Sequence, residues 1–321
     1  MGFSIEDLRN AQGIVRAMVP PTPAIAWPLL AQRTGARVVV KHENHTPIGA
    51  FKVRGGLVYM AELARGRRPS GVVAATRGNH GQSIAFAARA HGFTPVIVVP
   101  HGNAESKNRA MRALGAELIE TGHDFQAALE ASRVIAAERG LHFVESFHPA
   151  LVKGVASYAL ELFEAAPDLD AVYVPIGLGS GICGVIAARD ALGLKTEVIG
   201  VVADNAAAYA LSFAKGRPVT TDSADTLADG MACRVPVPEA VAAINDGAAR
   251  VVTVGEEAML EAIAAYFDDT HNIAEGAGAA PLAALLAERT RMAGKRVGLI
   301  LSGGNLDRAL YARALATTVA T

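Results

Sequence analysis

Four groups of residues in this chain have the types and spacing to do chemistry together: an amine, a glycine loop, a polar turn and a hydroxyl. The amine is Lys52, set in Pro47-Ile48-Gly49-Ala50-Phe51-Lys52-Val53-Arg54-Gly55-Gly56. Apolar Ile48, Ala50, Phe51 and Val53 favour its neutral form, and a neutral lysine amine condenses with carbonyl carbon. Read alone, the same lysine would be a surface residue with its stem on apolar ground. The downstream segments argue against that. Gly177-Leu178-Gly179-Ser180-Gly181-Ile182-Cys183-Gly184 follows an apolar strand and opens an alanine-rich helix, so its backbone N–H groups and the helix dipole are offered to an anion. Thr76-Arg77-Gly78-Asn79-His80-Gly81 gathers hydroxyl, guanidinium, amide and imidazole groups at the start of a helix over 82–91, a cup suited to a carboxylate. Ser302, in Ser302-Gly303-Gly304-Asn305, follows a buried strand, where its hydroxyl can meet a heteroaromatic ring nitrogen.

The elements that must position these groups are legible in the apolar pattern. Short β-branched runs at 38–40, 72–75, 96–99, 117–119, 172–174, 198–202, 251–254 and 297–301 alternate with longer alanine-rich stretches, which predicts parallel sheets covered by helices. The three special turns lie at carboxyl ends of strands, where open α/β sheets bind ligands, and so can converge on one crevice. A four-strand unit from about 51 to 150 reads as a smaller lobe inserted in a larger one. The stretch 216–230 reads as a long irregular excursion crossing the surface near the site. Asp268-Asp269 and Glu256-Glu257 read as exposed helix charges, and the histidines outside the polar turn show no metal spacing.

Composition narrows the partners. With 30 Lys and Arg against 31 Asp and Glu in 321 residues, the chain has no net field to attract nucleic acid or an anionic membrane, and a small metabolite is the expected partner. Two cysteines without metal or disulfide spacing point to a reducing, cytoplasmic setting. The N-terminal residues do not read as a leader, and no apolar run is long enough to span a bilayer.

Gly179-x-Gly181-x-x-Gly184 with Asp204 after the next strand also fits a dinucleotide fingerprint, so a nicotinamide-dependent oxidoreductase stands as an alternative of a different class. That reading leaves Lys52 and the 76–81 turn without work. A compact cofactor with one phosphate and one aldehyde uses both.

Taken together, Gly-Ala-Phe-Lys-Val-Arg-Gly around Lys52, Thr-Arg-Gly-Asn-His-Gly-Gln at 76–82, the loop at 177–181, Glu275-Gly276-Ala277-Gly278-Ala279 and Ser302-Gly303-Gly304-Asn305 resemble the threonine dehydratase and serine racemase family of fold type II pyridoxal-phosphate enzymes. The resemblance implies a two-domain α/β architecture like that of the tryptophan synthase β chain. Its large cofactor-binding domain would comprise 1–50 and 151–321, and its small mobile domain 51–150. It implies Lys52 as the Schiff-base lysine and α-proton base, Phe51 packed on the cofactor, Asn79 on its ring oxygen, Ser302 at its pyridine nitrogen, and Gly177, Gly179, Ser180 and Gly181 around its phosphate. Thr76, Arg77, Gly78, Asn79 and His80 would hold the substrate carboxylate. The implied activity is dehydration and deamination of a β-hydroxy amino acid such as threonine or serine to a 2-oxo acid and ammonia, in a homodimer. Hydroxyaspartate or a β-aryl serine is an alternative substrate, and racemisation an alternative outcome.

Departures from the family pattern sharpen these expectations. Racemase members carry serine where Arg77 stands, and an arginine hardly gives up a proton, so elimination is expected to exceed racemisation. Arg77 either reads a second substrate carboxylate or, as favoured here, turns away into a structural ion pair. Val202 and Ala208 stand where racemases place acidic cation ligands, so no metal is expected. Ile48 and Ala50 replace two hydroxyl residues before the lysine, which leaves the substrate side chain open. The chain's end soon after Leu310 predicts no regulatory domain of the long biosynthetic deaminases.

Overall fold

A computed structural model describes residues 2–66 and 68–317. Ten strands follow one another as β1 (Ala24–Ala26), β2 (Arg37–His42), β3 (Gly71–Ala75), β4 (Thr94–Val99), β5 (Glu117–Glu120), β6 (His142–Phe143), β7 (Ala171–Pro175), β8 (Glu197–Ala203), β9 (Arg250–Val254) and β10 (Arg296–Leu301). They form a six-stranded sheet in the order β1-β2-β10-β7-β8-β9 and a four-stranded sheet in the order β5-β4-β3-β6. All neighbours are parallel except β1 and β2. The inner strands are apolar on both faces because helices cover both faces, as in β3, where every residue is buried. Among the described residues no helix is long and apolar enough to cross a membrane.

The eight strands expected from the sequence are all present. β1 and β6 are additional, and at three and two residues they are too short to show a period. The helix after β3 begins at Asn79, three residues earlier than its apolar pattern suggests, because the 76–81 turn is continuous with it. Residues 217–228 carry no helix or strand, as expected of the excursion.

Three of the four acidic residues read as exposed charges are engaged, Glu257 while still exposed, by Arg313 at 2.8 Å. Asp269 is paired with Arg33 through bonds of 2.6 and 2.8 Å, and Glu256 accepts the Leu227 N–H at 2.8 Å, tying the irregular segment to the helix Glu256–Thr270. Each faces a partner remote in sequence, which helical periodicity alone does not reveal.

The helix Lys52–Arg65 is held at its entry, along its length and from the helix Asn79–Ala90. Its entry is a closed loop in which the Thr46 hydroxyl accepts the Ala50 N–H at 2.9 Å and donates to the Ala50 carbonyl at 2.8 Å. Against the helix Pro149–Ala165 it packs backbone to backbone: a methyl at Gly55 would fall 2.8 Å from the Leu151 carbonyl oxygen, and one at Gly154 only 2.3 Å from that of Arg54. The Ser83 hydroxyl donates to the Lys52 carbonyl at 2.6 Å, joining the helix Asn79–Ala90 as well.

Beneath this helix lies a buried set of two cations and two anions. Arg54 donates to Glu43 at 2.7 and 3.0 Å and to Glu161 at 2.9 Å through each of two nitrogens, and Lys41 donates to Glu161 at 2.6 Å. All four residues are buried. Desolvation makes such a set costly to break, since any one loss strands a charge in apolar surroundings. Arg54, two positions after Lys52, thereby locks the amine's helix to the turn that follows β2 and to the helix Pro149–Ala165.

Candidate active site

The three turns expected to converge do so, in a cleft of about 990 Å³. That is the upper end of the range in which small-molecule sites fall, room for a cofactor and a substrate together. Phe51, Lys52, Thr76, Arg77, Gly78, Asn79, His80, Gly177, Gly179, Ser180, Gly181 and Ser302, the full set of expected site residues, line it.

Lys52 is half-buried, and its amine donates to the Ser180 hydroxyl at 3.1 Å and lies 5.0 Å from the centre of the Phe51 ring. Burial lowers its pKa to about 8, with the Glu275 carboxylate opposing part of that shift. Phe51 meets Tyr158 edge-on, and its N–H donates to the Ser302 carbonyl at 3.0 Å, so the loop before Lys52 and the turn after β10 are one unit.

The glycine loop is shaped by close approach and by handedness. A methyl at Gly177 would stand 2.1 Å from the Gly230 carbonyl oxygen, and Gly179 has φ +97°, a left-handed conformation that glycine alone adopts freely. Ser180 opens the helix Ser180–Ala191, leaving its first N–H groups facing the cleft. The loop is braced from behind by Tyr209, whose hydroxyl donates to the Leu178 carbonyl at 2.9 Å and accepts the Val237 N–H at 3.1 Å.

In the polar turn, Thr76 is largely spent on shape: its hydroxyl accepts the N–H groups of Gly78 and Gly81 at 2.9 and 3.2 Å. His80 is buried, its Nε2 has no partner among the described residues, and burial with the nearby Lys52 charge lowers its pKa to about 3. It meets a ligand as a neutral imidazole. Arg77 is exposed at the cleft and, among the described residues, forms no ion pair. The structural ion pair expected for it is therefore corrected; of the cleft carboxylates, Asp229 is paired with Lys107 and Glu275 with Asn79.

Glu275 is the cleft residue to which the sequence assigned no role. It accepts the Asn79 amide N–H at 2.8 and 3.1 Å on its two oxygens, and burial raises its pKa against the opposing pull of that bond. In the sequence it stands at the head of Glu275-Gly276-Ala277-Gly278-Ala279, one of the segments that carry the family resemblance, where an acid also reads as a helix start and suggests no partner. Lys107 and Asp229 pair across the cleft mouth, as do Ser106 and Asp307.

The dinucleotide fingerprint is not a site. Gly184 serves helix packing, where a methyl would press to 3.0 Å from the Ala156 backbone nitrogen, and exposed Asp204 begins a turn and does not line the cleft. The residues present fit pyridoxal phosphate instead. A glycine-rich cradle at a helix start suits its phosphate, an amine with lowered pKa suits its aldehyde, and a half-buried aromatic and amide with a buried hydroxyl suit its ring.

Comparison with known proteins agrees. Residues 15–303 match the model of the family described as pyridoxal-phosphate dependent enzyme. An L-threonine ammonia-lyase of Thermotoga maritima is 35% identical over 306 residues, covering 95% of this chain and 76% of that protein. Among solved structures, a threonine deaminase of T.th. superposes with a TM-score of 0.89 at 31% identity, covering 95% of this chain and 99% of the other. Maize serine racemase superposes at 0.91 with 26% identity, covering 98% and 97%. Its sheets, its cleft and these matches together make this chain a member of the pyridoxal-phosphate dependent enzyme family, with the fold type II architecture.

Proposed function

We propose that this protein eliminates water from a β-hydroxy amino acid of the threonine or serine class, releasing a 2-oxo acid and ammonia. The observation that carries the reading is the placement of the Lys52 amine, 3.1 Å from Ser180 at the mouth of the glycine loop and in one cleft with Asn79 and Ser302. Pyridoxal phosphate, when bound, supplies the electron sink that makes the substrate's α-hydrogen acidic. The N–H groups of 177–181 and the Ser180 hydroxyl would hold its phosphate. Phe51 would wall its ring, Asn79 would hold the ring oxygen, and the Ser302 hydroxyl would serve the ring nitrogen.

Lys52 takes the α-proton. A pKa near 8 leaves a useful fraction of the amine neutral at physiological pH, as a general base requires. The turn of Thr76, Arg77, Gly78, Asn79 and His80 receives the substrate carboxylate at the start of the helix Asn79–Ala90, which orients the α-hydrogen toward Lys52. The β-hydroxyl leaves as water, and hydrolysis of the released enamine gives the 2-oxo acid and ammonia.

Arg77, opposite in chemistry to the serine of racemases, cannot serve as a second proton carrier, which supports elimination over racemisation. Its lack of a protein ion pair among the described residues also supports a second reading at the level of substrate, a β-hydroxy amino acid with a distal carboxylate.

We further assign 51–150 to a small mobile domain and 1–50 with 151–321 to a large one. The Lys107–Asp229 and Ser106–Asp307 contacts, which bridge the cleft, support closure of one on the other. A homodimer, implied by the family resemblance, and a cytoplasmic setting, for which the two buried free thiols speak, complete the reading.

The test is borohydride reduction of the cofactor-loaded protein followed by peptide mass spectrometry, with a panel of β-hydroxy amino acids assayed for 2-oxo acid and ammonia. Cofactor mass on Lys52 and release of both products are expected. Lys52→Ala should lose the adduct and at least about 10³-fold in turnover. Loading without any product from the panel would sink the lyase reading.

A further inference from the structure

We propose that Glu275 is a positioning residue that fixes which way the Asn79 amide faces and, through it, the seat of the cofactor ring. This rests on the reading that Asn79 reaches the ring oxygen. The Asn79 nitrogen donates to both Glu275 oxygens, at 2.8 and 3.1 Å, while the Asn79 oxygen accepts from the Asn305 amide at 2.7 Å. The same Asn305 nitrogen donates to the Ile48 carbonyl at 2.8 Å, so a backbone group four residues before Lys52 sets its orientation.

Glu275 accepts at both of its oxygens here, and an amide nitrogen offers only donors. Turning Asn79 over would set oxygen against Glu275 and nitrogen against Asn305, a mismatch on both sides. In the orientation observed, both polar ends of the amide are matched: its nitrogen donates to Glu275 and its oxygen accepts from Asn305. Such specification works only if Glu275 is itself immobile. Its own N–H donates to the Gly303 carbonyl at 3.0 Å, which ties it to the turn after β10.

The arrangement has a second consequence. Asn79 follows β3 of the four-stranded sheet, whereas Glu275 opens the helix Gly276–Ala287, packed on the six-stranded sheet. The amide that meets the ring is therefore oriented from across the cleft. Glu275 does not compete for the reacting amine, because Lys52 bonds to Ser180 instead.

The experiment is a double-mutant cycle on the cofactor-loaded protein with Glu275→Gln, Asn79→Ala and both. It is read as the pyridoxal phosphate dissociation constant and as the pH midpoint of the visible band. Glu275→Gln should weaken retention about ten-fold, the scale of one charge-assisted hydrogen bond. Asn79→Ala should weaken it at least as much, and the double variant should be no worse than Asn79→Ala alone. Glu275→Asp should restore part of the loss. Additive losses would mean that Glu275 acts on its own and would overturn the proposal, as would a Glu275→Gln protein indistinguishable from wild type. Should the glutamine variant not fold, Glu275→Asp supplies the same cycle, with coupling expected and additivity refuting. A wild-type protein that takes up no pyridoxal phosphate on Lys52 would instead overturn the functional reading, and this proposal with it.

Discussion

The two walls of the cleft are built by different means. On the cofactor wall the groups are held by backbone and buried charge: the Gly55 and Gly154 contact, the glycine loop pressed on Gly230, and the Arg54 set. On the substrate wall, beyond the helix start, stand exposed Arg77, the Lys107–Asp229 pair and the irregular 217–228 segment. A wall made of backbone tolerates no change of chemistry, whereas one made of exposed side chains can be rewritten one residue at a time.

The contrast can be broken most severely at Arg54. Arg54→Ala leaves Glu43 and Glu161 buried with Lys41 as their one nearby cation among the described residues, and should cost about 3–5 kcal/mol in denaturant unfolding. Arg77→Ala should stay within about 0.5 kcal/mol of wild type in the same measurement. Equal losses from the two would erase the distinction between the walls.

The next effect concerns protons. Burial pulls the Lys52 pKa down, so its neutral form gains on the protonated one up to pH about 8 and is dominant above it. Capture of pyridoxal phosphate by cofactor-free protein, followed by stopped-flow absorbance, should rise about ten-fold per pH unit below that value and level off above it. A rate still climbing at pH about 10 would mean an ordinary, solvated lysine and would undo the description of the cofactor wall. His80, held neutral down to a pKa of about 3, adds no step to this profile.

The smallest effect belongs to the substrate wall. Arg77→Ala should leave cofactor retention unchanged and raise KM for β-hydroxy amino acids with a second carboxylate by about ten-fold more than for those with one, for one lost charged contact. Steady-state assays on paired mono- and dicarboxylic substrates decide this; a uniform change in both would remove Arg77 from substrate selection.

What the sequence made legible follows the same division. Strands two-sided in their burial announce themselves by β-branched runs, and the three polar turns at their carboxyl ends were readable because glycine, serine and asparagine cluster there for backbone reasons. Glu275 was not, because its meaning lies in an amide 196 positions upstream. Asp269 and Arg33, 236 positions apart, escaped for the same reason, as did the freedom of Arg77 from an ion pair among the described residues. β1 and β6 owe their existence to pairing with longer neighbours, and periodicity has nothing to count in two or three residues.

The contact between Gly55 and Gly154 bears on how this chain can vary. Because the reference surface for the amine is main chain on main chain, the alanine, valine and leucine packing around it can drift without shifting Lys52, much as paint can change on a wall without moving the hinge set in its stone. Sequence turnover in the core and constancy of the reacting nitrogen are thus compatible, and the two glycines are the positions where that tolerance ends.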